Sequence, residues 1–484
     1  MNTMNVTEFL RQERKLPFLT KEQAQQITKV FQTPFHIYSE QYIREIVRLV
    51  YQAFSWNRGY REYFAVKANP NYEILRILFE EGCGFDCSSE AELLLAYAVG
   101  ARGPQIMFTS NDTPPREFEL AAKLGAIITL DDITHIDVLA EAVRRAGCRL
   151  PEVVALRWNP GGTFQASNDI MDTPGEAKYG MTTKQLHSAV KQLKKLGVKR
   201  IGLHAFLASN TLGEEYYEAL SARLFQQVND LLQHNVTIEF VNLSGGVGIA
   251  YRPDQRPNDI LKIGELVQTN YRNILHKENQ PRIYTEMGRF ITGPFGGLVT
   301  KVQHIKNTHR MYVGVDASAS DLMRPAIYGA YHHITVIGKE SDPIAGTAYD
   351  ITGPLCENND KFAIQRNNLP KIVKGDLLFI HDTGAHGFAM GYNYNGRLKH
   401  AELLLCENGE VRLIRRAESI EDYFRTMMVS DRLQNALKDS DLILLDKPAD
   451  FNLEQPVFCL GDIYTYNLKP EPGPLGSGFG DRLM

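Results

Sequence analysis

What most constrains this chain is a long alternation of short apolar runs with amphipathic stretches, from about Thr33 to Val302. TPFHIYS reads as a strand and EQYIREIVRLVYQAF as a helix. REYFAVKAN is the next strand, and NYEILRILFEEG a helix stopped at Gly82. FDCSS is a strand end, and EAELLLAYAVG a helix stopped at Gly100. The pattern continues through QIMFTS, AIITLDD, EVVALRWNP, RIGLHAF, IEFVNLSGG and RIYTEMGR, with helical stretches such as TKQLHSAVKQLKKLG between them. Such alternation demands a parallel sheet covered by helices. About eight units over roughly 260 residues fit a closed (β/α)8 barrel better than an open sheet.

Past about Lys301 the texture changes. KVQHIKNTHRMYVGVDAS, YHHITVIGK, DLLFIHDTG, AELLLCENG and EVRLIRR are β-rich, with no regular helices between them. Beyond Ser419 come one or two short helices, and the final KPEPGPLGSGFGDRLM is Pro/Gly-rich and irregular. The expected fold class is therefore α/β plus β, in four parts. Residues 1–33 form a segment packing on the β domain, 34–305 the barrel, 306–425 the β domain, and 426–484 a C-terminal extension.

Composition narrows the function classes. A formal net charge of −4 without a basic stripe argues against a nucleic-acid binder. Met1 to Lys15 lacks the apolar core of a signal peptide, and no stretch reaches the roughly 20 apolar residues of a membrane helix. A cytoplasmic protein is expected, with no membrane partner. The cysteines Cys83, Cys87, Cys148, Cys356, Cys406 and Cys459 show no metal-site spacing and read as free thiols, so no metal is expected.

Several polar residues stand just after strands: Lys67 after YFAV, His204 closing RIGLH, Gly245 after VNLS, and Glu286 after RIYT. In a barrel these converge on the C-terminal face, where active sites form. Lys67, closing an apolar strand, should be poorly hydrated. That favours a neutral amine able to attack an aldehyde, although a lysine snorkelling at a strand end would look the same. Ser244, Gly245 and Gly246 let backbone N–H groups approach a phosphate closely, or form an ordinary tight turn. Glu286, Gly288 and Arg289 in EMGR offer a carboxylate for a pyridine nitrogen and a guanidinium for an anion, or a surface ion pair.

Seven motifs, in order, are YFAVKAN, GFDCSSEAEL, NLSGGVGIAY, EMGRFITGP, DASASDLMRPAIYGAYHHI, GPLCENND and GYNYNGRLKHAE. Together they resemble the fold-type III pyridoxal-phosphate decarboxylases, and within them the diaminopimelate decarboxylases, over about Thr33 to Arg425. The resemblance implies pyridoxal 5'-phosphate as cofactor. It also implies an alanine-racemase-like fold, with a barrel followed by a sandwich- or barrel-like β domain. The implied activity is decarboxylation of meso-2,6-diaminopimelate to L-lysine, the last step of lysine synthesis.

Residue by residue, Lys67 matches the Schiff-base lysine and Glu286 the acid facing the pyridine nitrogen. Barrel racemases resembling this fold use an arginine there, so Glu286 favours a decarboxylase. Asp86 and Glu92 match acids near the cofactor. Ser209, Gly245, Gly246 and Tyr394 match phosphate contacts, with Gly288 and the EMGR backbone completing the cradle. Arg289, Arg324 and Tyr328 match groups that hold substrate carboxylate, for which the guanidinium fork is suited. Cys356 matches the general acid, and Glu357 the reader of the distal amino group. In the family that loop comes from the partner subunit, which implies a homodimer with shared active sites.

The chain also departs from the pattern. Phe206 stands where the family carries a histidine stacked on the cofactor, and a phenyl ring can stack but offers no nitrogen. Ser244 begins the glycine triplet, EPGR has become EMGR, and Asn358 replaces the serine after Glu357. These changes leave open a related decarboxylase acting on carboxynorspermidine, a basic D-amino acid, or a siderophore or antibiotic precursor. A more remote alternative is a non-catalytic binding or regulatory homologue.

Overall fold

The computed structural model describes residues 4–162, 174–233, 236–276, 280–428, 435 and 457–459. The extension read at 426–484 lies almost wholly outside them.

Eight strands close a parallel barrel: β2 (Arg61–Ala65), β3 (Gly84–Cys87), β4 (Ile106–Thr109), β5 (Ile127–Leu130), β6 (Val153–Arg157), β7 (Arg200–His204), β8 (Ile238–Asn242) and β9 (Arg282–Thr285). β9 returns to β2 through Arg61↔Tyr284 and Glu62↔Thr285. All eight coincide with runs expected to be strands, β3 starting one residue earlier than read, at Gly84.

The connecting helices form where apolar residues recur at helical spacing. Helix Glu40–Ala53 buries Ile43, Ile46, Val47, Val50 and Ala53 along one stripe. Helix Glu90–Val99 starts on Ser89, whose side chain accepts from the Glu92 N–H, and ends on left-handed Gly100. Inside the barrel, Tyr63, Met107, Ile127, Ala155, Phe240 and Tyr284 form a separate apolar layer. Gly202 belongs there because a Cβ would lie 2.2 Å from the Phe240 ring. The barrel floor is thus solid, and chemistry is confined to its rim.

The first strand read from the alternation is not a barrel strand. β1 (Phe35–Ser39) lies in the second sheet, antiparallel to β10 (Gly296–Asn307) through Phe35↔Val299 and parallel to strand Ala401–Leu405 through Phe35↔Ala401. The boundary expected at 305 falls inside β10, which has already entered that sheet at Gly296. Local β–α rhythm cannot show this, because the pairing joins residues far apart in sequence. The mixed ten-stranded sheet also takes in Met311–Val315, Tyr349–Thr352, Lys361–Arg366, Glu410–Arg415 and Val457–Cys459, with Ile334–Val336 and Leu377–Ile380 alongside.

The N-terminal segment divides its packing. Helix Lys21–Val30 buries Ala24 and Ile27 with Phe35, Ile37 and Phe379 of the sheet. Helix Val6–Leu10 instead meets the barrel side, where Phe9 stacks on Tyr42 with ring centroids 4.5 Å apart. No helix among the described residues is long and apolar enough to cross a membrane.

Candidate active site

Three strand ends build the centre of the rim. Glu286 follows β9 and is buried. Its Oε1 accepts from Asn242 Nδ2 at the end of β8 (2.6 Å), and its Oε2 from Ser244 Oγ (2.8 Å). His204 Nε2, closing β7, lies 3.4 Å from Oε2. Burial alone would raise the Glu286 pKa, but His204, the Ser244 hydroxyl and Lys67 outweigh it and hold the carboxyl below the ordinary range. Asp86, near the end of β3, is shifted the opposite way by burial and by the charge of Glu286. Its Oδ1 is buried without a hydrogen-bond partner. Glu92 accepts from the Ser88 N–H (2.7 Å) and Oγ (3.0 Å), and burial raises its pKa.

Lys67 departs from expectation in one respect. β2 ends at Ala65, and Lys67 occupies a 3-10 turn, Val66–Ala68, with its side chain exposed. It is not buried by the strand but presented at the rim, within the fields of Asp86, Glu92 and Glu286. Its Nζ lies 5.8 Å from the centre of the Phe206 ring. Beyond Phe206, Arg157 pairs with Asp131 at 3.0 Å and lies over Tyr179 at 4.4 Å.

The glycine loop is zipped to the loop carrying Ser209. Thr211 N–H donates to Gly246 O (2.8 Å), and Gly248 N–H to Thr211 O (2.9 Å). Tyr217 Oη donates to Gly245 O (2.6 Å) from below. A Cβ at Gly245 would meet Glu286 O at 2.5 Å. At Gly246, with φ +103°, it would meet Ala208 O at 2.7 Å. Gly288 is similarly hemmed in by Ala68 Cβ at 2.8 Å. Both conformation and space therefore require glycine here.

The arginines arrive from opposite sides. Arg289 Nη1 donates to Tyr251 Oη. Arg324, in the short helix Arg324–Tyr328, is buried and lies over the Tyr251 ring at 4.7 Å. His386, whose N–H donates to Ala68 O (2.9 Å), feels Arg289, Lys67 and Arg324 together; burial first, and then those charges, push its pKa well down. Gly288, next to Arg289, packs on Ala68, next to Lys67, and both arginines meet at Tyr251. Among the described residues, neither arginine has a carboxylate within ion-pair distance.

A second group stands apart on the β domain. Cys356 and Glu357 are exposed, and Cys356 N–H donates to Asn395 Oδ1 (2.7 Å), next to Tyr394. Tyr394 and Tyr328 are 44% and 60% exposed, and no contact ties Tyr394 to the glycine loop among the described residues. The one-chain fold therefore assembles Lys67, Asp86, Glu92, Phe206, Gly245, Gly246, Glu286, Gly288, Arg289 and Arg324, with Ser209 on the adjoining loop. It leaves Cys356, Glu357 and Tyr394 outward.

Sequence reasoning missed Asn242, Tyr251 and His386. Asn242 closes a strand, a signal of the kind that singled out Lys67 and Glu286; His386, in the loop TGAHG, carries no such signal.

Pyridoxal phosphate fits these residues: a presented amine, an unsatisfied buried carboxylate oxygen at Asp86, an ionised acid at the end of β9, and a loop with no room for a Cβ. The family model for the pyridoxal binding domain of pyridoxal-dependent decarboxylases matches residues 41–293. Protein TabA of Pseudomonas amygdali pv. tabaci is 39% identical over 82% of this chain and 92% of that protein. A diaminopimelate decarboxylase of Methanothermobacter thermautotrophicus is 33% identical over 85% of this chain and 95% of that protein. Among solved structures, the diaminopimelate decarboxylase of M. jannaschii in complex with L-lysine superposes with a TM-score of 0.78 at 28% identity, covering 85% of this chain and 95% of that one. The chain belongs to the pyridoxal-phosphate-dependent decarboxylase family. It is a carboxy-lyase that uses pyridoxal phosphate, with diaminopimelate decarboxylases among its relatives.

Proposed function

We propose that the chain decarboxylates meso-2,6-diaminopimelate to L-lysine and CO2, within lysine synthesis in the cytoplasm. The carrying observation is the pair Arg289 and Arg324, two guanidiniums that meet at Tyr251 without an acidic partner among the described residues. A guanidinium clamped on the departing carboxylate would stabilise the ground state more than neutral CO2 and so oppose the reaction. The pair therefore suits a carboxylate that stays, which calls for a substrate with two.

Lys67 would hold the cofactor, with Asp86 and Phe206 beside it. Ser209, Gly245, Gly246, Gly288 and Tyr394 would hold its phosphate. Bound pyridoxal phosphate supplies an electron sink for the pair left as CO2 departs. Glu286, kept ionised by His204, Ser244 and Lys67, favours a proton on the ring nitrogen it would partner. Tyr328 would add a hydroxyl to the carboxylate site. The Cys356 thiol would return a proton to carbon, and the Glu357 carboxylate suits a distal ammonium. Both stand on an exposed turn, so the reading includes a homodimer in which each copy completes the other's site.

The test is release of L-lysine and CO2 from meso-diaminopimelate by the holoprotein, with Lys67→Ala as control. Lysine from the native protein and none from the variant is expected. No lysine from a protein that has bound its cofactor would sink the diaminopimelate reading.

A second reading keeps the chemistry and changes the amino acid. Phe206 and Asn358 favour it, as does the higher identity to TabA (39%) than to the Methanothermobacter decarboxylase (33%). CO2 release from carboxynorspermidine or basic D-amino acids, exceeding that from diaminopimelate, would select it.

A further inference from the structure

Arg324 is held by an unusual partner for a buried cation. Its Nη1 donates to His332 Nε2 at 2.8 Å, and His332 Nδ1 lies 2.7 Å from the His381 carbonyl oxygen. The chemistry of these partners leaves one tautomer. A guanidinium cannot accept a hydrogen bond and a carbonyl cannot donate one, so the proton is on Nδ1 and the Nε2 lone pair faces Arg324. The backbone fixes this geometry. His332 enters strand Ile334–Val336, which pairs with Leu377–Ile380 through Ile334↔Ile380, bringing the His381 carbonyl opposite. His332 is fully buried and meets Tyr251 edge to face, with centroids 5.1 Å apart.

We propose that His332 is a positioning residue for substrate carboxylate, aiming the Arg324 guanidinium through a neutral acceptor that leaves its charge unspent. The proposal rests on the reading that Arg289 and Arg324 bind a carboxylate. A carboxylate in place of His332 would aim Arg324 equally well but neutralise it before substrate arrived. An apolar residue would leave the charge whole but a buried N–H unpaired. Tyr251 does for Arg289 what His332 does for Arg324, since its hydroxyl is also a neutral acceptor. Burial, and then Arg324 itself, keep the His332 pKa well below its ordinary value, so the lone pair stays available at neutral pH.

The experiment compares holoprotein variants His332→Phe, His332→Gln and Arg324→Lys, and the double variant His332→Phe/Arg324→Lys. Pimelate, a seven-carbon dicarboxylate without the reacting amine, serves as the probe, with its dissociation constant read by calorimetry. Turnover of meso-diaminopimelate is measured alongside. His332→Phe is expected to weaken pimelate binding about tenfold and to raise KM similarly, with kcat within about threefold. Glutamine restores an acceptor and should recover most of the loss. In the Arg324→Lys background, the phenylalanine change should do little further.

Equal pimelate affinity in the native and His332→Phe proteins would overturn the proposal. So would equal losses in the Phe and Gln variants, or full additivity with Arg324→Lys. Pimelate effects as expected without diaminopimelate turnover would sustain the proposal while sinking the diaminopimelate reading. If the phenylalanine protein does not fold, His332→Asn replaces it, because asparagine is too short to reach Arg324 but keeps a donor for the His381 carbonyl.

Discussion

The barrel rim and the Cys356 turn of the β domain carry comparable chemical groups under opposite conditions. At the rim, acids and imidazoles are enclosed, and Glu286 alone takes two side-chain hydrogen bonds from the end of β8, from Asn242 and Ser244. On the turn, Cys356 and Glu357 face outward, and the Cys356 N–H is held by Asn395 of the same domain. A single chain encloses Asp86, Glu286 and Arg324 but leaves exposed Cys356 and Glu357, the groups proposed to finish the reaction. Enclosure is what makes electrostatics strong, because water is no longer there to screen it. The turn gains that strength only when another surface covers it.

The contrast is sharpened most by Glu286→Gln, which keeps shape and removes charge. Turnover should fall at least ~100-fold, with the cofactor still bound, as read by its absorbance and steady-state rates. Retained turnover would mean the enclosed acid is a bystander. A smaller effect tests the turn. Lys67→Ala and Cys356→Ala should each be inactive alone. Co-expressed, they should form mixed dimers with one intact site, recovering about a quarter of native activity. No recovery would mean that Cys356 acts in its own chain or not at all.

The smallest effect separates two acids on either side of the barrel wall. Glu62 on β2 is as buried as Glu286, but it faces the outer side, where Thr285 Oγ1 and the Met287 N–H (2.6 Å) donate to it. Burial pushes its pKa up to about 8, and the charge of Glu286 adds to the rise. The folded protein therefore holds a proton on Glu62 that the unfolded chain releases near 4.5. Stability from this group falls as pH rises from 4.5 towards 8, then levels off. Glu62→Gln should raise Tm by about 2 °C at pH 8.5 and leave it unchanged at pH 4. For Glu286, whose pKa is depressed, the sign reverses: its contribution is present above the ordinary carboxylate range and is lost on acidification. A Glu62→Gln protein less stable at high pH would erase the distinction.

Much of this was legible in the chain. All eight barrel strands could be read from their apolar runs, and the polar residues following them mark the rim, because strand ends in a parallel barrel share one face. What stayed hidden depended on contacts distant in sequence. β1 has the same local texture as a barrel strand, and only its pairing with Val299 and Ala401 reveals its sheet. His332 and Tyr251 gain meaning only once Arg324 lies between them. Lys67 was misjudged as to exposure because the strand stops two residues before it, and a strand's last residue is the hardest part to read.

The position of β1 also orders how the molecule can be made. The barrel sits between β1 and β10 like a clause in parentheses, and the sheet that encloses it needs residues 401–405. On the ribosome, every barrel strand has been synthesised once Thr285 emerges, while β1 must wait more than 100 residues for its parallel neighbour. The edge of β1 that pairs with Ala401–Leu405 in the finished protein is open for that interval. The cofactor's half of the enzyme can thus assemble before the domain bearing Cys356 has been fully translated.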